Sequence, residues 1–234
     1  MNQPSPARGD TGLAPTLAAE QVGPASAIIP AYNEATRIGA VLRPLCQADC
    51  IAEIIVVDDG STDGTAEVAR RLGVEVISLA RNVGKAAALD EGVRLAHHDI
   101  LLFLDADLVG LRPEHIEGLI GVYQQKHPDM VIGVFRNGRL NTDISQTYAP
   151  YLSGQRVISR ALWNRLKRVL GRLDFGVEMA LTKLSFKENW TEERVKLRGV
   201  THVMKEEKRG FSQGLRARLK MYGDIIRSVF TRLD

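Results

Sequence analysis

The chain has 234 residues, of which 44% are hydrophobic and 25% charged, and its formal net charge is +3 at pH 7. These values predict a globular domain with one sizeable core, and they exclude two large domains or the charge density of a dedicated nucleic-acid coat. The two cysteines, Cys46 and Cys50, form neither a disulfide framework nor a CxxC motif. No apolar run reaches the roughly 20 residues of a membrane span. We therefore expect a cytoplasmic domain without a nucleic-acid partner.

Residues 1–24 mix Pro, Gly, Ala and Ser without periodicity, which predicts a disordered leader. After them, short β-branched runs alternate with segments of helical period, a pattern typical of βαβ units. The fold expected for residues 25–204 is α/β, an open and mostly parallel sheet with helices on both faces. The predicted strands cover 26–30, 53–57, 74–79, 100–104 and 130–135, and the predicted helices begin at 38, 65, 85 and 113.

Polar clusters follow the first four predicted strands. They are Pro30–Glu34, Asp58–Thr65, Arg81–Lys85 and Asp105–Asp107. Ligands of open α/β sheets bind beyond the carboxyl ends of the strands, where such loops meet. We therefore expect the four clusters to form one site.

Asp105 and Asp107 are two residues apart and directly follow an apolar strand, so both carboxylates can converge on one cation. Oxygen ligands of this kind favour Mg²⁺ or Mn²⁺, whose other positions are commonly filled by water and substrate phosphates. A capped turn with a solvated carboxylate is the alternative for an isolated DxD. The neighbouring clusters favour the metal site.

Lys85 opens a predicted helix after Gly84, where an ammonium group and free backbone N–H groups suit an anionic diphosphate. A solvated lysine at a loop junction is the alternative, since no Walker A sequence is present. In the preceding loop, Ser61, Asp63 and Thr65 are predicted to cap a helix. Asp59 is buried at a strand end and needs a donor, which a nucleobase N–H would supply.

The four clusters, in this order and spacing, resemble the family 2 glycosyltransferases of GT-A fold over about residues 25–180. The subgroup that the chain most resembles is the dolichol-phosphate-mannose-synthase type, whose acceptor-side SGxR segment is similar to Ser153–Arg156. A later QxxRW segment, typical of processive synthases, is absent from the sequence. The resemblance thus favours transfer of a single sugar.

The resemblance implies a UDP- or GDP-sugar donor and a divalent cation, Mg²⁺ or Mn²⁺, and it assigns roles to residues of this chain. The donor would be held at the diphosphate by Lys85 and at the nucleoside and ribose by Pro30, Tyr32, Glu34, Asp59 and Asp105. Asp107 would mark the metal, and the acceptor or its phosphate would meet Gln155, Arg156 and Arg160.

A hydroxyl acceptor needs a general base, and Glu178 is the nearest candidate. We count it with Asp105, Asp107 and Arg156 as candidate catalytic residues, although a helix pairing role is the alternative for Glu178. His202 is predicted to lie near the site as a further metal ligand. A purely structural role is the alternative for this histidine.

Residues 205–234 carry an apolar helical stripe flanked by Arg216, Lys220 and Arg227, a pattern typical of helices at anionic membrane surfaces. Packing on the core or on a second copy is the alternative.

The sequence thus predicts a metal-dependent glycosyltransferase, peripheral at the inner face of a membrane, with a lipid-linked or phosphate acceptor. A nucleotidyltransferase of similar fold and a non-catalytic nucleotide-sugar-binding module are the other hypotheses.

Overall fold

The structure is a computed structural model that describes residues 23–135, 153–170 and 176–202. The strands are β1 (Ala25–Ala31), β2 (Ile51–Asp58), β3 (Glu75–Ser78), β4 (Ile100–Phe103), β5 (Leu108–Val109), β6 (Met130–Phe135), β7 (Arg156–Ser159), β8 (Glu192–Leu197) and β9 (Thr201–His202). The helices are α1 (Ile38–Leu45), α2 (Thr65–Arg71), α3 (Lys85–Leu95), α4 (Pro113–Lys126), α5 (Arg160–Leu170) and α6 (Val177–Glu188).

Seven strands form the main sheet in the order β3-β2-β1-β4-β7-β6-β8. β7 runs antiparallel to both of its neighbours, and the other six strands run in one direction. β5 and β9 form a separate two-stranded antiparallel ribbon. The predicted α/β fold with a mostly parallel sheet is confirmed.

Helices cover both faces of the sheet because the buried strands are apolar on both sides. Ile29 of β1 packs with the apolar residues of α1 and α4, whereas its neighbour Ile28 packs with those of α3, α5 and α6. Trp163 of α5 lies edge-on to Phe103 of β4, with ring centroids 5.0 Å apart. The site is therefore built on a rigid, two-sided core.

The five predicted strands are all present, with ends within two residues of the prediction. The sequence reasoning missed β7 and β8, since β7 is only four residues long and β8 is highly charged. Charged side chains are typical of edge strands, which they protect from unwanted pairing. β8 lies at one edge of the sheet, as this composition indicates.

Two predicted segments lie outside the described residues, namely most of the leader and the basic helix at 205–234. Among the helices that are described, none is both long and apolar enough to cross a membrane.

Candidate active site

A cavity of about 480 Å³ opens at the carboxyl ends of β1, β2 and β4. The strand order reverses between β1 and β4, the position at which open α/β sheets bind ligands. All four predicted clusters contribute to its lining, which consists of Pro30, Ala31, Tyr32, Glu34, Asp59, Asn82, Gly84, Lys85, Asp105, Ala106 and Asp107. The structure thus brings together every residue predicted to bind the donor.

Hydrogen bonds between side chains and backbone hold the first two loops of the cavity together. The backbone N–H of Asn33 donates to Ser61 Oγ at 2.9 Å, and the backbone N–H of Glu34 donates to Thr65 Oγ1 at 2.8 Å. The Asp63 carboxylate accepts from the Thr65 amide at 3.1 Å, an Asx-turn at the start of α2. The Asx-turn of Asp63 agrees with the prediction, but the N-cap of α2 is Gly64 without a side-chain cap, and Ser61 and Thr65 instead bond the first loop.

Asp59 has hydrogen-bond donors within the chain and also lines the cavity, so its contact with the nucleoside stays a prediction. Its two carboxylate oxygens accept from the amides of Val83 at 2.7 Å and Gly84 at 2.9 Å. No nucleobase is needed to compensate its burial, because the loop before α3 already does so. The loops approach closely at Gly60, where φ is +74° and a Cβ would lie 2.6 Å from the Arg81 carbonyl carbon. Asp59 thus shapes this side of the cavity.

Lys85 lies between two carboxylates. Its Nζ is 2.5 Å from Asp105 Oδ1 and 2.5 Å from Glu178 Oε1, on the first turn of α6. Burial lowers the pKa of the Lys85 ammonium, but the two carboxylates outweigh burial and hold that pKa above its ordinary value. The lysine is therefore a fixed positive charge at the cavity, and Glu178 joins the site through it.

Asp105 is held from two further directions. Gln155, whose side chain is buried, donates from Nε2 to Asp105 Oδ2 at 2.7 Å. Gly154 leaves room for the carboxylate, since a Cβ there would lie 2.4 Å from Asp105 Oδ2. Gln155 was predicted to contact the acceptor, and the structure instead places its amide against Asp105.

Arg156 is only 1% exposed and does not belong to the cavity lining. Its guanidinium donates to the backbone oxygens of Ser153 at 2.9 Å and Glu178 at 3.3 Å. Burial lowers the pKa of Arg156 to about 10, against the opposing effect of nearby carboxylates, Glu178 first. The prediction that Arg156 faces an acceptor is thereby corrected. The buried guanidinium instead connects the segment before β7 to the first turn of α6.

Arg160 lies at the opposite end of the sheet, beyond the last residue of β7. Its guanidinium donates to the backbone oxygens of Val93, Ala96 and His98 at 2.6 to 2.7 Å. It therefore caps the carboxyl end of α3. The predicted acceptor contact of Arg160 is corrected, because β7 is antiparallel and carries the chain away from the cavity.

The predicted metal site is only in part within the described residues. β9 pairs with β5 so that His202 is opposite Leu108, next to Asp107 in the chain, but the His202 side chain lies outside the described residues. Among the residues that are described, no group of three or more His, Cys, Asp or Glu side chains is arranged to hold a metal. Two carboxylates that leave the other positions to water and phosphate suit Mg²⁺, and Asp105 and Asp107 both line the cavity.

The cavity lining is negatively charged. Its described residues include four carboxylates (Glu34, Asp59, Asp105 and Asp107) and a single ammonium, that of Lys85, for a formal charge of −3. Two charged residues lie next to the lining: Arg37 pairs with Glu34 at 2.6 Å, and Glu178 pairs with Lys85. The positive charge of Arg37 and the negative charge of Glu178 cancel, so the net charge stays the same. An anionic ligand therefore gains from the presence of a cation here.

The fold and this site define a GT-A-type α/β domain, in which loops at the carboxyl ends of the strands surround an acidic cavity. The profile of one protein family, described as glycosyl transferase family 2, matches residues 26–179. The chain belongs to this family. The subgroup predicted from the sequence stays a prediction.

The relatives are glycosyltransferases by name. The chain is 41% identical over 102 residues to a 4,4'-diaponeurosporenoate glycosyltransferase of Staphylococcus aureus, an alignment that covers 42% of this chain and 27% of the relative. The chain therefore spans only about a quarter of the length of the curated relatives it matches.

Solved structures of similar fold include glucosyl-3-phosphoglycerate synthase of Mycobacterium tuberculosis. Its complex with phosphoglyceric acid is 25% identical, with a TM-score of 0.69 and coverage of 92% of this chain and 83% of that chain. Its complex with Mg²⁺ and UDP is also 25% identical, with a TM-score of 0.67 and coverage of 92% and 82%. The similarity thus extends beyond the aligned family segment.

Proposed function

We propose that the protein transfers one sugar from a UDP-sugar to an acceptor and that a divalent cation, Mg²⁺ or Mn²⁺, takes part. The observation that carries the proposal is the acidic cavity at the switch point, where Asp105, Asp107 and Lys85 meet the loops of Tyr32 and Asp59. UDP is favoured over GDP because several of the M. tuberculosis structures contain UDP or UDP-glucose.

Cleavage of the bond from the anomeric carbon to oxygen leaves negative charge on the departing diphosphate. Groups that bind this charge more strongly in the transition state lower the barrier. Lys85 is such a group, since its ammonium is fixed at the cavity by Asp105 and Glu178. Asp105 and Asp107 would hold the cation, which when bound supplies further stabilisation of the same charge.

Glu178 is the proposed general base for a hydroxyl acceptor. Its carboxylate lies beside Lys85, and its backbone oxygen accepts from Arg156 and from Thr182 Oγ1 at 2.8 Å. The start of α6 is therefore anchored to the core, which keeps the carboxylate close to the cavity. A phosphate acceptor, ionised at neutral pH, needs no such base.

The lipid-linked or phosphate acceptor, the cytoplasmic location and the membrane contact of residues 205–234 belong to the same proposal. The family match favours sugar transfer over the nucleotidyltransferase hypothesis.

The test is a donor panel with the full chain and Mn²⁺: UDP-glucose, UDP-galactose, UDP-N-acetylglucosamine and GDP-mannose, scored for binding and for release of the nucleoside diphosphate. We expect at least one UDP-sugar to bind and to be turned over, and EDTA to abolish turnover. Binding without turnover of any donor, with or without lipid and phosphorylated acceptors, would indicate the binding-module hypothesis. Absence of binding would contradict the proposal altogether.

A further inference from the structure

Gln155 lies immediately before β7 in the segment Ser153–Arg156, and its side chain is fully buried. A buried amide must use both its donor and its acceptor, or it costs stability. Both are used here. Nε2 donates to Asp105 Oδ2 at 2.7 Å, and Oε1 accepts from Ser153 Oγ at 2.9 Å.

The chemistry of the partners fixes which way the amide faces. An ionised carboxylate can only accept hydrogen bonds, so the NH₂ group must be directed at Asp105. Ser153 can donate to Gln155 or to the Gly133 backbone oxygen, which lies 2.5 Å from its Oγ. The backbone N–H of Gln155 also donates to Ser153 Oγ at 3.3 Å. These hydrogen bonds hold the Gln155 side chain in place against the Asp105 carboxylate.

Three groups together determine the orientation of the Asp105 carboxylate. Lys85 occupies Oδ1, Gln155 occupies Oδ2, and Gly154 packs so closely that any side chain at its position would displace the carboxylate. The Asp105 carboxylate also lines the cavity, where a ligand can reach it.

We propose that Gln155 is a positioning residue: it holds the Asp105 carboxylate in the orientation that receives the divalent cation. The proposal rests on the proposed function above. Gln155 does not line the cavity, and it acts through the carboxylate that does. Groups that orient metal ligands in this way typically change metal affinity by about 10- to 100-fold when they are lost.

Two substitutions at Gln155 distinguish the effect of the hydrogen-bond donor from the effect of side-chain size. Gln155→Met keeps the length of the side chain and loses the donor. Gln155→Glu keeps the shape and places a carboxylate against Asp105, which disfavours the charged pair. Mn²⁺ affinity is measured by electron paramagnetic resonance on the full chain at saturating UDP, with thermal unfolding of each variant. Ile116→Val, in the apolar core of α4 and outside the cavity lining, is the control for a mild loss of stability.

We expect Gln155→Met to weaken Mn²⁺ affinity about 10-fold and Gln155→Glu to weaken it more, with Ile116→Val unchanged. If the Gln155 variants do not fold, Ser153→Ala, which frees Oε1 of Gln155, should weaken Mn²⁺ affinity several-fold in the folded protein. Wild-type affinity in the folded variants would overturn the positioning role. If the wild type itself fails to bind Mn²⁺ with UDP, the proposed function fails instead, so the two results are distinguishable.

Discussion

Charged side chains gather at both ends of the main sheet, yet the two ends differ in how the charges are used. At the amino ends of the parallel strands, the guanidinium of Arg160 is occupied by three backbone oxygens. The Glu53 carboxylate accepts there from the Ser26 hydroxyl and from the amide and ring of His97 at 2.5 and 2.9 Å. At the carboxyl ends, Lys85 and its carboxylate partners surround a cavity with an excess of negative charge.

Charge alone therefore does not mark a functional site. At the amino ends, Arg160 is bonded to backbone oxygens and Glu53 to Ser26 and His97, and these contacts stabilise the fold. At the carboxyl ends, the carboxylates outnumber the cations and line an open volume. The predictions below test this division between the two ends.

The largest effect is expected at the cavity. Asp107→Asn removes one negative charge from the proposed cation site without changing the size of the side chain. We expect turnover of the UDP-sugar at saturating Mn²⁺ to fall about 1000-fold, corresponding to about 4 kcal/mol of transition-state stabilisation. Steady-state kinetics measure the loss, and an unchanged unfolding temperature would show that the fold is intact. Turnover like that of the wild type would remove Asp107 from the site.

A third charged region, the basic segment at 205–234, lies outside the described residues, and its charges are predicted to bind an anionic membrane. Replacing Arg216, Lys220 and Arg227 together by Glu in the full chain should reduce binding to vesicles of phosphatidylglycerol about 100-fold, because each basic side chain contributes about 1 kcal/mol at an anionic surface. Co-sedimentation measures this binding, and neutral phosphatidylcholine vesicles are the control. Equal binding of both proteins to the anionic vesicles would contradict the membrane proposal.

At the amino ends, Arg160→Met should affect the fold and not the ligand. Loss of the three hydrogen bonds to the end of α3 should cost about 2 kcal/mol of unfolding free energy. Urea denaturation measures this cost. The KM values for donor and acceptor should not change. A raised acceptor KM in a variant of wild-type stability would restore the acceptor role predicted from the sequence.

The smallest effect is expected for Glu53→Gln, and it should depend on pH. Burial raises the pKa of Glu53, but hydrogen bonds from His97 and Ser26 outweigh burial and lower that pKa from 4.5 to about 2. The hydrogen bond with Glu53 raises the pKa of His97 above its ordinary 6.5. The Glu53 contribution to stability is thus present above pH 4.5 and lost as the pH falls towards 2, and the His97 contribution is present below pH 6.5 and lost as the pH rises through the raised value.

The substitution should therefore lower the free energy of unfolding most near pH 5.5, and less at both lower and higher pH. Urea denaturation across this range measures the difference between variant and wild type. A difference that is constant with pH would show that the ion pair between Glu53 and His97 does not contribute.

The sequence could predict the cavity because its residues follow strands whose apolar runs are easily recognised. Asp59 and Asp105 lie just beyond such strands, Lys85 follows β3 after a loop at the start of α3, and parallel strands bring their carboxyl ends to one edge. Gln155 and Arg160 could not be placed correctly, because they flank β7, a short antiparallel strand that was not predicted. Successive side chains of an extended segment point to opposite faces, so neighbours such as Gln155 and Arg156 differ in role.

The central claim is that the acidic cavity binds a nucleoside diphosphate together with a divalent cation. Isothermal titration of the full chain with UDP, once with Mn²⁺ and once with EDTA, tests it most directly. Because the lining carries a formal charge of −3, UDP alone should be repelled, and Mn²⁺ should strengthen its binding by at least about 10-fold. Equal affinity for UDP in both buffers would contradict the claim.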